Sequence, residues 1–145
     1  FARPGHQSRH NLAYWHGDHW LAVGVGAHGH LPGPHGDLRY GNHRDHRSWF
    51  AAVEQGQLPE AFREELDLKT VLTERILTEL RLDQGIDLQR LARDVGPAAV
   101  AKLSERGRQL LGKAPLAMTA QHLRLLPHGF AQLDHWVRAL VDLET

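Results

Sequence analysis

Three histidines (His10, His16, His19) and three large aromatics (Tyr14, Trp15, Trp20) fall within thirteen residues, SRHNLAYWHGDHW, beginning at Ser8. Imidazole ligates metal ions and changes charge near neutral pH, and indole and phenol rings offer flat apolar walls. Two His-x-x-His pairs, His16/His19 and His43/His46, have a spacing that brings two imidazoles to one metal when it falls on a helix. Both pairs stand in Gly- or Asp-rich segments that read as loops. Nine of the twelve histidines fall between His6 and His46, so pairs at this spacing also arise by chance. GVGAHG lacks the full pattern of G-x-G-x-x-G followed by a helix, since the HLPGPHG that directly follows it cannot start the helix a phosphate loop requires. It reads instead as a glycine-ended strand at the mouth of a ligand site. No Ser-His-Asp, Cys-His or paired-carboxylate constellation follows from spacing.

The elements that must hold these residues divide by composition. Up to His46 the chain is rich in His and Gly; the last hundred residues are rich in Leu, Arg and Glu. WLAVGVGAHG is a continuous apolar run and predicts a strand buried on both faces, as in a parallel sheet, with Gly24, Gly26 and Gly29 allowing close approach at its end. A short strand is expected at 38–40. Asp45 or Ser48 caps a helix through WFAAVEQG, which Gly56 and Pro59 stop. From Asp67, Leu72, Ile76 and Leu80 repeat at helical spacing, and Gly85 ends the segment. Asp87 caps the next helix, with Leu88, Leu91, Ala92 and Val95 inward; Gly96-Pro97 opens a third with Val100, Leu103 and Leu110. PLAMTAQHLRLL predicts a hairpin turning near Ala120-Gln121, and Pro127 starts a last helix with Phe130, Leu133, Val137 and Leu140 inward. Three helices, a hairpin and a helix resemble a winged-helix arrangement. The third helix carries Lys102, Arg106, Arg108 and Lys113, which a DNA reader would use, but Gly107 interrupts it and a solvated face is the better reading.

Composition narrows the function. With 17 basic and 17 acidic side chains the formal net charge is zero. This disfavours nucleic acid and polybasic membrane attachment, leaving at most peripheral membrane contact. No apolar run approaches the roughly 18–20 residues that span a bilayer, so a soluble, cytoplasmic protein is expected. There is no cysteine, hence no disulfide and no thiolate metal site within this chain. Phe1 in place of Met reads as a piece of a longer polypeptide.

Together these segments resemble the C-terminal part of the radical S-adenosylmethionine family of HemN and HemW. FARPGHQSRHNLAYW is similar to the segment carrying the H-N-L-x-Y-W signature of the HemW branch, here His10, Asn11, Leu12, Tyr14 and Trp15. LAVGVGAHG resembles the family's glycine-rich late strand. LRLDQGIDLQRLARDVG resembles the helix, Gly-Ile-Asp turn and helix of its C-terminal domain, and HLRLLPHGFAQLD its closing hairpin and final helix. The chain departs at Leu126 and His128, where the family has threonine and arginine around the closing proline, and in the irregular RQLLGKAPLAM. It also lacks the C-x-x-x-C-x-x-C motif that holds a 4Fe–4S cluster, so it cannot supply those thiolates.

The resemblance implies an α+β fragment, mostly α: the last strand or strands of a radical-SAM partial (β/α) barrel with the HNLxYW loop (1–46), a connecting helix and linker (47–66), and a HemN-type C-terminal domain with a winged-helix-like hairpin (67–145). It implies a parent that binds haem and delivers it to acceptor proteins, with S-adenosylmethionine and the 4Fe–4S cluster held in the rest of the barrel. The alternatives are an oxygen-independent coproporphyrinogen III oxidase, which decarboxylates porphyrinogen propionates, and a plain interaction module covering the barrel. This chain is expected to be inactive alone. A haem or porphyrin site needs apolar walls, an axial ligand and polar rim groups. The implied set is His10 for iron, Tyr14 and Trp15 for the ring, Arg9 or Arg3 for a propionate, and Asn11 to fix the loop, with His6, His16 and His19 as rival ligands. Gly24, Gly26, Ala27 and His28 are implied at the mouth for S-adenosylmethionine or substrate.

Overall fold

The computed structural model describes residues 2–3 and 5–141. Residues 142–145 of the expected 67–145 domain, and Phe1 and Pro4 of the opening turn, lie outside the described residues. The element order is α1 (Arg9–Trp15), β1 (His28–Pro32), β2 (Gly36–Asn42), α2 (His46–Glu54), β3 (Glu60–Asp67), α3 (Leu68–Glu79), β4 (Ile86–Asp87), α4 (Leu88–Val95), α5 (Pro97–Leu110), β5 (Leu116–Met118), β6 (His122–Leu125), a 3-10 segment (Pro127–Gln132) and α6 (Leu133–Val141). They form two compact units, Asp18–Leu68 and a second made of the chain up to Gly17 with everything from Lys69 onward.

The Asp18–Leu68 unit is an antiparallel sheet in the order β1-β2-β3 with helix α2. The strand expected over Trp20–Gly29 forms elsewhere. Strand β1 starts only at His28 and pairs antiparallel with β2, while Leu21 and Val23 are 71% and 88% exposed. An apolar run becomes a buried strand only where neighbours bond both its edges. Here Trp20 makes a single bridge to His30, and the Ala22 N–H donates to the Tyr40 hydroxyl at 2.9 Å. Gly29 faces Tyr40 in the register, and a Cβ there would clash with the Tyr40 ring; this glycine makes room for a core tyrosine. The expected strand at 38–40 is the centre of β2, and Asp45 caps α2 by accepting from the Ser48 N–H at 2.8 Å. Strand β3 occupies residues read from sequence as a linker.

In the second unit, Leu72, Ile76, Leu80, Leu88, Leu91, Val95, Val100 and Leu103 are buried as their periodicity predicts. So are Leu133, Val137 and Leu140 of α6; Leu110 and Phe130 are only half-buried. Each fully buried Leu or Ile stabilises by about 1.5–3 kcal/mol relative to exposure. Asp87 caps α4 with both the Gln89 and Arg90 N–H groups, and the small sheet has the order β4-β6-β5. The hairpin turns at 119–121, as expected, closed by Thr119 and His122. Helix α5 runs unbroken through Gly107, contrary to expectation. A glycine inside a helix costs about 1 kcal/mol relative to alanine. Here it lets Leu123 and Met118 pack against the helix backbone, and Gly107 is buried.

Candidate functional site

The HNLAYW segment is a helix rather than a loop. Ser8 caps α1 through its hydroxyl, which accepts from the Asn11 N–H at 3.3 Å. The helix ends where Gly17 adopts φ +58°, a conformation natural to glycine. The Arg90 guanidinium donates to the His16 carbonyl at 2.8 Å, and the Arg75 guanidinium fills the space a Gly17 side chain would need. A cationic last-carbonyl contact of this kind suits the negative end of a helix. Thus α1 is mounted on α3 and α4 by two arginines that sequence reading did not connect with it, because they lie 58 or more residues away.

The structure brings together part of the expected set. His10 and Tyr14, one helical turn apart, meet edge to face with ring centroids 5.0 Å apart. Trp15 lies around the helix from them, with the Arg81 guanidinium 6.0 Å from its ring centroid. Tyr14 and Trp15 are 44% and 37% exposed, and Arg9, His10 and Asn11 are exposed too. Asn11 enters the Ser8 cap through its backbone N–H. Arg3 and His6 are exposed near the start, where the His6 N–H donates to the Arg3 carbonyl at 2.9 Å. Arg81 was invisible to sequence reasoning for the same reason as Arg75 and Arg90.

Gly24 and Gly26 have φ +97° and +67°, so both need glycine's conformational freedom. The Asn42 side chain donates to the Gly24 carbonyl at 2.8 Å, the Asn42 N–H to the Ala27 carbonyl at 2.9 Å, and the Gly26 N–H to the His43 carbonyl at 2.8 Å. The buried Asn42, missed in the sequence, therefore fixes a tight turn over 24–27. His28 follows it, exposed, with its ring 5.5 Å from that of Phe62. Of two surface cavities of about 440 and 570 Å³, the first is lined by residues such as Thr119 and Arg124 and the second by Phe130, Asp134 and Arg81; neither includes a residue of the 24–28 segment.

Neither His-x-x-His pair supplies two members of a metal-sized cluster. Among the described residues, the one group of three His or carboxylate side chains close enough to enclose an ion is His19, His30 and Asp37. Of the cations on α5, Arg106 donates to the Ala139 carbonyl at 2.8 Å and Arg108 pairs with Glu105 at 2.9 Å.

Residues 66–131 match the HemN C-terminal domain. The fold is similar to that of coproporphyrinogen III oxidase (HemN) from Escherichia coli, a radical SAM enzyme, with a TM-score of 0.55 at 11% identity over 86% of this chain and 28% of that one. These similarities are to the HemN and HemW proteins. Among these proteins the similarity is to HemW: 33% identity over 141 residues to the Heme chaperone HemW of Mycobacterium tuberculosis, 97% of this chain and 33% of that protein. The Heme chaperone HemW of Lactococcus lactis is 26% identical over 90% of this chain and 33% of its own length. The chain is a HemW-like C-terminal segment, spanning 33% of the length of these relatives.

Proposed function

We propose that this chain is the C-terminal part of a HemW-like haem chaperone, and that α1 presents the iron ligand. The observation that carries this reading is an exposed imidazole, His10, held edge-on by Tyr14 on a helix that two arginines anchor. One ligand on an exposed helix suits a carrier, which must release haem to an acceptor protein, better than a closed two-ligand pocket. Trp15 and Tyr14 supply apolar walls, and Arg9, with Arg81 beside Trp15, supplies positive charge for propionates. The 24–27 turn and His28 face S-adenosylmethionine or substrate in the completed barrel. The exposed Leu21 and Val23 support this, because a neighbouring barrel strand would cover them. The cluster thiolates and most of the S-adenosylmethionine site belong to the rest of a cytoplasmic parent. We read α3, β4, α4, α5, β5 and β6 as a winged-helix-like arrangement, a reading that their order along the chain supports. The neutral charge balance and the engagement of Arg106 and Arg108 argue against DNA as its partner.

The test offers full-length protein haem and, separately, coproporphyrinogen III with S-adenosylmethionine and a reductant. Saturable haem binding without porphyrinogen decarboxylation is expected. Turnover of coproporphyrinogen III without haem binding would make the protein an oxidase instead.

A further inference from the structure

We propose that His19, His30 and Asp37 form a binding site for a divalent transition-metal ion of the zinc type, separate from haem and from any iron–sulfur cluster. The His19 Nε2 lies 3.1 Å from Asp37 Oδ1, and the His30 Nε2 lies 2.9 Å from Asp37 Oδ2. The three ligand positions all fall within 4.8 Å of one another. Donors bound at the usual Zn–N and Zn–O lengths of about 2.0–2.1 Å stand roughly 3.0–3.4 Å apart around the ion, so the spacing fits with only small side-chain movement.

The backbone builds this cluster. The Trp20 N–H donates to the His30 carbonyl at 2.7 Å, and the His30 N–H returns to the Trp20 carbonyl at 2.9 Å, which fixes His19 beside β1. Asp37 pairs with Pro32, so it shares a sheet face with His30. His30 and Asp37 have side chains only 8% and 13% exposed, whereas His19 is 42% exposed at the rim. The result is two inner donors, one outer donor and a side open to solvent.

His30 carries the second, independent observation. Its Nε2 is buried and has no hydrogen-bond partner, although Asp37 Oδ2 is 2.9 Å away. Its Nδ1 is 3.4 Å from the Asp18 carbonyl, which can only accept, so this contact places the proton on Nδ1. In the neutral ring Nε2 then carries no proton, and it and the carboxylate oxygen beside it are two acceptors in contact, which repel. A cation between them resolves this. A ring N–H held by a backbone carbonyl, with the other nitrogen on the metal, is the usual outer support of a histidine ligand. His19 gives up the Nε2 proton it shares with Oδ1 by moving to the Nδ1 tautomer, with no net proton lost. Two imidazoles and one carboxylate favour zinc, cobalt, nickel or ferrous iron over magnesium or calcium. Arg39, opposite His30 in the register, lies near Glu64 at 3.9 Å, which offsets its charge.

The test is calorimetric titration of the full chain, stripped with chelator, with Zn(II) alone. One saturable site is expected, weakened at least tenfold in Asp37→Asn and in His19→Ala and unchanged in His128→Ala, which controls for the other histidines. Asp37→Asn keeps the side-chain shape and His19 is exposed, so both variants should keep the fold, as circular dichroism will verify. Co(II) should give ligand-field bands in wild type that both variants lose. Absence of saturable Zn(II) binding by wild type would overturn the proposal and leave His30 and Asp37 as an ion pair. Equal affinity in wild type, Asp37→Asn and His19→Ala would overturn it as well.

Discussion

Gly85→Ala is expected to destabilise the helical unit by about 2–5 kcal/mol, enough to unfold it under mild conditions. Gly85 has φ +69°, and a left-handed conformation costs a residue with a Cβ about 1–2 kcal/mol. The new Cβ would also collide with the backbone of Leu123 and Arg124 in β6. Overpacking of a fixed neighbour adds about 1–3 kcal/mol, since β6 cannot retreat without opening its pairing with β4. Both Ile86 and Leu123, paired in that ladder, are fully buried. Gly112→Ala separates the two effects: Gly112 has φ +78° with nothing within 4 Å of the new Cβ, so only the conformational cost of about 1–2 kcal/mol applies. Urea unfolding of the two variants measures this. Equal losses would show that the contact with β6 contributes nothing.

The second large effect depends on pH. Glu79 is 2% exposed, and burial raises its pKa from 4.5 to about 7, against the opposing pull of Arg75 and Arg90. Arg75 bonds instead to Asp94 at 2.9 Å, and its nearest approach to Glu79 is 3.9 Å. Below pH 4.5 both folded and unfolded chains hold the Glu79 proton, and its contribution to stability is fully present. Between pH 4.5 and about 7 the unfolded chain releases a proton that the folded chain keeps, so stability falls as pH rises; above 7 the loss is complete. At about 1.4 kcal/mol per unit of pKa, the total is about 3 kcal/mol. Glu79→Gln is neutral at every pH and removes this loss. Denaturant unfolding at pH 4.5 and pH 8 should show the variant gaining on wild type by about 3 kcal/mol between the two. Parallel pH profiles would mean that Glu79 is charged in the folded protein.

What could be read from the sequence was local. The Asp45 and Asp87 caps, the Leu72-Ile76-Leu80 stripe and the Thr119–His122 turn depend on residues within a few positions of one another. Elements that depend on distant partners were misread. Leu21–Ala27 has strand composition but no strand alongside it. Strand β3 is an edge strand whose EAFREELD sequence is mostly exposed, so its charges read as a surface linker. Gly107 looked like a helix break because Leu123 and Met118, which pack against it, lie outside its own turn. The same limit governs the sites. His10 and Tyr14 are neighbours in a motif, whereas Arg81 reaches Trp15 only through the fold. His19, His30 and Asp37, separated by 11 and 7 residues, match no ligand spacing and meet only when β1 and β2 pair.

The central claim is that His10 on α1 ligates haem iron. The direct measurement is the haem absorption spectrum of full-length protein, wild type against His10→Ala, with His6→Ala, His16→Ala and His19→Ala beside it. Loss of an axial imidazole should shift the Soret band and weaken binding in His10→Ala alone. A spectrum and affinity unchanged in all four variants would contradict the account and remove this segment from the haem site.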